Sequence, residues 1–193
     1  MKKLLITGFE PFGGEVVNPS WLAVTMLPEE IGEYQLTKLC IPVVFGEAAK
    51  QTLVFAEKLS PDVILCIGQA GGRNAITPEW VGINWRYASI PDNAGNTPKD
   101  QLIVKDGQTA YFSTLPVRKM AEAVAQAGVP SQVSYSAGAY VCNDLLYALL
   151  SHYENTPTKV GFIHVPYCEE QNKTPFMPLQ NIVKGLTVAI ENL

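Results

Sequence analysis

The segment Asp62-Val-Ile-Leu-Cys-Ile-Gly-Gln-Ala-Gly-Gly-Arg73 decides the fold class of this chain. Its first half is a short apolar run typical of a buried strand, and its second half is a glycine-rich turn. Comparable strand candidates are spread along the chain at Lys3 to Thr7, Gln35 to Val43, Val81 to Trp85, Gln132 to Tyr135 and Lys159 to His164.

Helical patterns lie between these strands. One helix candidate opens with Asn18-Pro19, a capping residue followed by a proline at the first helical position. Apolar residues recur at helical spacing over 45–59, over 117–124 and over a final helix of about Pro178 to Ile190. This alternation predicts α/β layers around a largely parallel sheet. Because no linker, repeat or low-complexity tract divides the chain, we expect one domain over residues 1–193.

Composition excludes several classes of protein. The 193 residues carry 14 Lys+Arg against 18 Asp+Glu, a formal charge of -4, so the chain lacks the basic footprint of nucleic-acid binding. No run approaches the ~20 apolar residues of a membrane helix, and Leu4 to Ile6 is too short for a signal peptide. We expect a cytoplasmic protein with no nucleic-acid or membrane partner.

The cysteines and glycine turns indicate no metal or nucleotide cofactor. The four cysteines form no C-x-x-C pair, and only two histidines accompany them. Cys40 and Cys66 lie in strand-like runs and are predicted to be buried and structural. Cys168, in a loop-like stretch, is equally compatible with a place near a subunit interface or the cleft and with an incidental surface thiol. The turn after the first strand has Gly14 where a P-loop has lysine.

Three side chains on strand-exit loops suggest a binding pocket. Phe9, Phe12 and Gln69 follow strands, and the strand ends of open α/β sheets are where ligands usually bind. Two aromatic rings and one amide suit a small neutral ring with amide-like hydrogen bonds. An anion-binding nest with Arg73 is a weaker alternative.

Cys142 is a candidate nucleophile. It follows a small-residue turn and falls in the first turn of an amphipathic helix, where the helix dipole favours a thiolate and free N–H groups can stabilise an oxyanion. From position alone, a buried structural cysteine is an equally good interpretation.

A cysteine nucleophile needs a base and a residue that orients it. His164 ends a strand, whereas His152 lies on a helix surface away from that helix's N-terminus, so His164 is the better base. A carboxylate would orient the imidazole, and Glu79 is the leading candidate, with Asp92 and Glu169 as alternatives.

Five motifs in this order make the chain resemble the pyroglutamyl-peptidase I family, the pyrrolidone-carboxylate peptidases, over essentially its whole length. They are Thr7-Gly-Phe-Glu-Pro-Phe-Gly-Gly14 with Asn18-Pro-Ser20, Gly68-Gln-Ala-Gly-Gly-Arg73 with Ile76-Thr-Pro-Glu79, Ile90-Pro-Asp-Asn93, Ser136-Ala-Gly138 with Val141-Cys-Asn143, and Gly161-Phe-Ile-His-Val-Pro-Tyr167.

The resemblance implies a three-layer α/β/α sandwich around a mostly parallel, mixed twisted sheet. It implies a cysteine peptidase that removes N-terminal pyroglutamyl residues from peptides through a thioester, with no metal or cofactor, and commonly as a homotetramer. The implied triad is Cys142, His164 and Glu79. The residues implied to bind substrate are Phe9, Phe12, Asn18, Gln69 and Val141.

The chain departs from the usual family pattern at Trp80, Ser89 and Asp144, the first two standing where arginine is usual. Arg86 is a possible substitute for the second arginine. These departures keep open a catalytically weak protein that binds a small lactam or an anion on the same fold. A serine hydrolase using Ser136 or Ser20 is disfavoured because no G-x-S-x-G elbow is present.

Overall fold

A six-stranded sheet forms the centre of the structure. The structure is a computed structural model and describes residues 1–193. Its strands are β1 (Lys2–Phe9), β2 (Glu30–Ile31), β3 (Tyr34–Ile41), β4 (Val63–Gln69), β5 (Thr77–Pro78) and β8 (Lys159–Val165), and β6 (Val81–Ile83) pairs with β7 (Ala110–Phe112) in a separate ribbon. The spatial order is β2-β3-β1-β4-β8-β5. The four inner strands are parallel and the short edge strands β2 and β5 are antiparallel, which confirms the mostly parallel, mixed sheet.

Helices cover both faces of the sheet. The five are α1 (Pro19–Met26), α2 (Glu47–Leu59), α3 (Val117–Gln126), α4 (Val141–His152) and α5 (Leu179–Glu191). One buried cluster contains side chains of α1, α3 and α5, and a second contains side chains of α2 and α4. The three-layer α/β/α sandwich is therefore confirmed. None of the helices has the length and apolarity that crossing a membrane requires.

Alternation along the strands decides which side chains meet which helices. In β1, Leu4 and Ile6 pack in the cluster with α1, α3 and α5, whereas Leu5 and Phe9 pack in the cluster with α2 and α4. In β8, Phe162 belongs to the α2/α4 side. His164 is two residues further on, so its side chain lies on that same face.

One strand prediction is wrong, and a second is confirmed only over its first three residues. Residues Gln132 to Tyr135 form no strand, although single bridges join Ser131 to Ile76 and Ser134 to Glu79, because the ladder is too short to count as one. The strand expected over Val81 to Trp85 ends at Ile83 and lies in the separate ribbon.

Two cysteine predictions also need correction, whereas Cys66 is buried as expected. Cys40 is exposed, because β2 pairs only with the start of β3 and leaves the later part of that strand at the open sheet edge. Cys168 is fully buried in the cluster that includes α5, so it is neither a surface thiol nor a cleft residue.

Candidate active site

A cavity of about 350 Å³ opens where β1, β4 and β8 end and α4 begins. It is lined by the predicted residues Phe9, Phe12, Asn18, Gln69, Cys142 and His164. Residues that sequence reasoning did not assign to the pocket also line it, among them Tyr140 and Val43. The fold thus gathers side chains from distant parts of the chain at one edge of the sheet.

Cys142 is the second residue of α4, at the N-terminus of the helix. Tyr140 precedes the helix and provides no side-chain cap. The first intrahelical bond is donated by Asp144 to the Tyr140 carbonyl, so the N–H groups of residues 141–143 come before the helical ladder begins. Glycine is required at position 68, because a Cβ there would lie only 3.0 Å from the Cys142 sulfur. The thiol therefore sits beside free backbone donors.

His164 is held by a buried carboxylate. Its Nδ1 lies 2.7 Å from Oε1 of Glu79, whose side chain is fully buried. Antiparallel pairing of β5 with β8 sets Thr77 opposite His164, and the Glu79 N–H donates to the Phe162 carbonyl at 2.9 Å. A carboxylate only accepts, so Nδ1 carries the proton and Nε2 is left as the free lone pair of a neutral imidazole.

The alternative carboxylates are committed elsewhere. Asp92 accepts hydrogen bonds from the Asn96 N–H of its own loop at 2.8 Å and from the Phe45 N–H, just before α2, at 3.0 Å. Glu169 accepts from the Leu179 N–H at 2.7 Å, at the start of α5. Among the three candidates, Glu79 is the one that contacts His164.

Arg73 plays a part that the sequence interpretation missed. Its Nη1 donates to Oε1 of Glu79 at 2.7 Å and to the Thr77 hydroxyl at 2.6 Å, and its Nη2 donates to the Ser136 carbonyl at 3.1 Å. Three hydrogen bonds within the chain therefore use the Arg73 guanidinium, which also lines the cavity. The only available signal was an arginine six residues before a candidate glutamate.

Burial and charge set the protonation states. Burial lowers the pKa of His164, and Glu79 only partly offsets this. Burial also opposes the charged form of Glu79, but hydrogen bonds from His164 and Arg73 outweigh it and hold the pKa of Glu79 below its usual value. Burial raises the pKa of the Cys142 thiol to about 12, against the expected helix-dipole effect. The resting pair is therefore a neutral thiol and a neutral imidazole.

Asp144 points away from the cavity. Its side chain is fully buried, forms an ion pair with Nε of Arg86, and accepts the Gly46 N–H at 2.8 Å. Arg86 accordingly faces a different depression, lined by Phe45 and the loop at 96–101, and does not replace the arginine missing at Ser89.

Aromatic rings form a wall of the cavity. Phe12 and Tyr140 lie with ring centroids 6.4 Å apart, and Tyr140 meets Phe45 edge-on at 5.2 Å. The Tyr140 hydroxyl donates to the Pro91 carbonyl at 3.0 Å. Asn93 of the same loop donates to the Pro11 carbonyl at 2.9 Å. The 90–98 loop thus braces the aromatic wall from behind.

Asn18 and Val141 contribute less of their side chains than expected. Asn18 lines the cavity, but its Oδ1 accepts from the N–H and the hydroxyl of Ser20 at 3.0 and 2.8 Å, so only its amide nitrogen has a free hydrogen. The Ser20 hydroxyl is therefore also engaged, since it donates to Asn18 Oδ1. The Val141 side chain is fully buried in the core, and Val141 is not among the residues that line the cavity.

Comparison with known proteins identifies close relatives. Residues 2–193 match the family model described as pyroglutamyl peptidase. The chain is 48% identical over 194 residues to a pyrrolidone-carboxylate peptidase of Lactobacillus helveticus (98% of this chain, 97% of the relative) and 50% identical over 197 residues to that of Thermosipho africanus (98% and 95%). The crystal structure of pyroglutamyl peptidase I from Bacillus amyloliquefaciens superposes with a TM-score of 0.94 at 42% identity, covering 100% of this chain and 96% of that one.

Proposed function

We propose, from the premise that this chain belongs to the pyroglutamyl peptidase family, that it cleaves the amide bond after an N-terminal pyroglutamyl residue with a Cys142, His164 and Glu79 triad. The observation that carries the proposal is the 2.7 Å contact of His164 with buried Glu79 beside a cavity that Cys142 also lines. A base held by a carboxylate next to a thiol is the arrangement that nucleophilic acyl transfer needs.

Acylation begins from the neutral pair. His164 Nε2 takes the Cys142 proton as the sulfur attacks the pyroglutamyl carbonyl carbon, and Glu79 stabilises the imidazolium that forms. The oxyanion accepts hydrogen bonds from the free N–H groups at the start of α4. His164 then gives the proton to the leaving amine, the C–N bond breaks, and a thioester remains on Cys142.

Deacylation repeats the chemistry with water. His164 removes a proton from a water molecule that attacks the thioester carbonyl, the C–S bond breaks, and the proton returns to the departing sulfur. No metal or cofactor takes part in this proposed route.

The lactam ring would lie against Phe9, Phe12 and Tyr140, with Gln69 and the Asn18 amide nitrogen as polar partners from the cavity lining. The backbone of Val141, the first residue of α4, would be a third polar partner. No carboxylate lines the cavity. A peptide with a protonated N-terminal amine would therefore lose its hydration without gaining a counter-ion, whereas the neutral lactam carries no such cost. This favours peptides whose N-terminus is pyroglutamate.

The proposal extends to the wider setting of the enzyme. Its partners are peptides with N-terminal pyroglutamate in the cytoplasm and further copies of the same chain in a homotetramer, as the family resemblance implies. Light scattering coupled to size-exclusion chromatography measures the assembly directly, and a monomer mass would contradict it.

A chromogenic pyroglutamyl amide tests the activity. We expect turnover by the wild type and a loss of at least about 10³-fold in kcat/KM for Cys142→Ser, because the hydroxyl is a far weaker nucleophile beside this base. Cys40→Ser is the matched control, since it removes an exposed thiol that does not line the cavity. Unchanged activity in Cys142→Ser would exclude Cys142 as the nucleophile.

One observation favours a second candidate, a catalytically weak lactam-binding protein. The pKa of the Cys142 thiol, raised to about 12 by burial, leaves almost no thiolate at neutral pH. Calorimetry with pyroglutamate, run beside the amide assay, separates the two functions. Binding without turnover would support the binding protein.

A further inference from the structure

A chain of side-chain hydrogen bonds runs from Glu15 through Gln171 to the cavity residue Gln69 and takes no part in the proposed triad. Gln69 lies at the end of β4, and its Oε1 accepts a hydrogen bond from Nε2 of Gln171 at 2.9 Å. Gln171 is buried and ends a short 3₁₀ turn, Glu169–Gln171, that follows β8. The contact joins the loops that follow two neighbouring strands.

The amide of Gln171 has one orientation that satisfies its neighbours. Its Oε1 accepts the Cys168 N–H at 3.3 Å, and a backbone N–H can only donate. Its Nε2 also donates to Oε2 of Glu15 at 3.4 Å, and a carboxylate can only accept. A flipped amide would set oxygen against oxygen at Glu15 and N–H against N–H at Cys168.

Glu15 is kept in its accepting form. It forms an ion pair with Lys173, and this contact holds the pKa of Glu15 below its usual value. The Lys173 ammonium in turn lies 5.2 Å from the centre of the Tyr167 ring. A fixed acceptor and a fixed donor therefore hold Gln171 from its two ends at neutral pH.

We propose that Gln171 is a positioning residue that orients the Gln69 amide, so that Gln69 offers Nε2 to the cavity as the donor for the lactam carbonyl oxygen of the substrate. Oε1 of Gln69 is already occupied, and its Nε2 has no hydrogen-bond partner within the chain. A ring with a methylene in place of that carbonyl, such as proline, would leave this donor unpaired. The inference rests on the proposed function, because it assigns a substrate contact to Gln69.

The test is a double-mutant cycle on the full-length protein. Kinetics with a chromogenic pyroglutamyl amide and inhibition by 2-pyrrolidone are measured for the wild type, Gln69→Leu, Gln171→Met and the double variant. We expect each single variant to raise KM and the inhibition constant of 2-pyrrolidone about tenfold, the loss of one hydrogen bond, with kcat within about threefold. The double variant should equal Gln69→Leu, because Gln171 acts only through Gln69.

Two further variants keep the result interpretable. Gln126→Met, at the exposed end of α3, is the matched control and should leave both constants unchanged. Glu15→Gln alters one anchor of Gln171 without touching the core, and we expect it to raise KM about twofold to threefold. This variant decides the matter if Gln171→Met does not fold.

The outcomes separate this inference from the proposed function. Effects of Gln69→Leu and Gln171→Met that multiply, or a Gln69→Leu enzyme with unchanged KM, would overturn the role of Gln171 while the wild type still cleaves the amide. A wild type that cleaves no pyroglutamyl amide would overturn both.

Discussion

Arg73 touches the proposed triad without being part of it, and replacing it with methionine tests the charge arrangement around Glu79. Arg73 and His164 both contact Oε1 of Glu79 at 2.7 Å. Arg73→Met removes one charged hydrogen bond from a carboxylate that is fully buried. The substitution also removes a positive charge near His164 and Cys142.

The magnitude follows from that one hydrogen bond. A hydrogen bond to a charged group contributes about 1.5–3 kcal/mol, and a pKa unit corresponds to about 1.36 kcal/mol. The Arg73 side chain is 31% exposed, so solvent screening favours the lower end, or about one pKa unit for Glu79.

The direction is the same for both partners in the triad. Hydrogen bonds from His164 and Arg73 hold the pKa of Glu79 low against burial, so without Arg73 that pKa rises. Burial lowers the pKa of His164 and the nearby Arg73 charge lowers it further, so without Arg73 that pKa rises too. The active state has an ionised Glu79 and a neutral His164. As the pH falls, the variant therefore loses this state at a higher pH than the wild type. We expect the acidic limb of kcat/KM to move up by about one pH unit.

The assay is kcat/KM for a pyroglutamyl amide from pH 4 to 10 at constant ionic strength, in the wild type and Arg73→Met. Arg118→Met is the control, because Arg118 lies over the ring of the neighbouring Trp80, 5.2 Å from its centre, and has no hydrogen bond to Glu79.

The pH dependence of the stability of Arg73→Met is a second measurement. Since the pKa of Glu79 is lowered by folding, its contribution is present above an unfolded pKa of about 4.3 and is lost as the pH falls through the folded value. The stability deficit of Arg73→Met should therefore disappear in acid. A folded variant whose acidic limb stays in place would refute the reasoning.

Three further predictions concern the surroundings of the thiol. Gly68→Ala should lower kcat at least tenfold and reduce the melting temperature, because its Cβ would lie 2.6 Å from the Phe162 ring and 3.0 Å from the Cys142 sulfur; full activity with normal stability would contradict this packing. Iodoacetamide should modify Cys142 of the free enzyme slowly at pH 7, with a rate still rising above pH 9, because burial raises the pKa of the Cys142 thiol to about 12. Mass spectrometry of the peptide that contains Cys142 measures the rate of modification. A rate already at its plateau by pH 7 would show a thiolate and contradict the prediction. Arg86→Met should destabilise the protein to urea by about 2–3 kcal/mol, since it leaves buried Asp144 without its ion-pair partner, while kcat/KM stays within about threefold; a large activity loss without a stability loss would place Arg86 in the cleft.

Local sequence patterns predict the layers and the central strands, but not the edges. The apolar run Val63 to Ile67 is long enough to identify a buried strand, and it is one. Residues 132–135 carry a similar signal, yet only isolated bridges form there, because a neighbour of sufficient length is absent and pairing partners are not written in local sequence. The exposure of Cys40 has the same origin, since it depends on how far the two-residue β2 extends along β3.

The site divides in a similar way. The motif resemblance places Cys142 and His164 at one cavity, and the structure brings both there. What sequence cannot supply is the second contact of each polar group. The sequence of the glycine-rich turn does not show that Arg73 contacts Glu79. The contact of Gln171 with Gln69 likewise forms only where two strand-exit loops meet. Such contacts join residues far apart in the chain, and side-chain type alone leaves too many possible partners.

The departure at Asp144 shows how such a contact changes the interpretation of a residue. A carboxylate two positions after the nucleophile would oppose thiolate formation if it faced the sulfur. Here the Arg86 guanidinium and the Gly46 N–H hold it on the far side of α4, towards the start of α2. The negative charge of Asp144 in the first turn still interacts favourably with the helix dipole, while the positive charge of Arg86 offsets the field of Asp144 at Cys142. Arg86 is committed to this pair and does not line the cleft, so Arg73 is the one arginine that does.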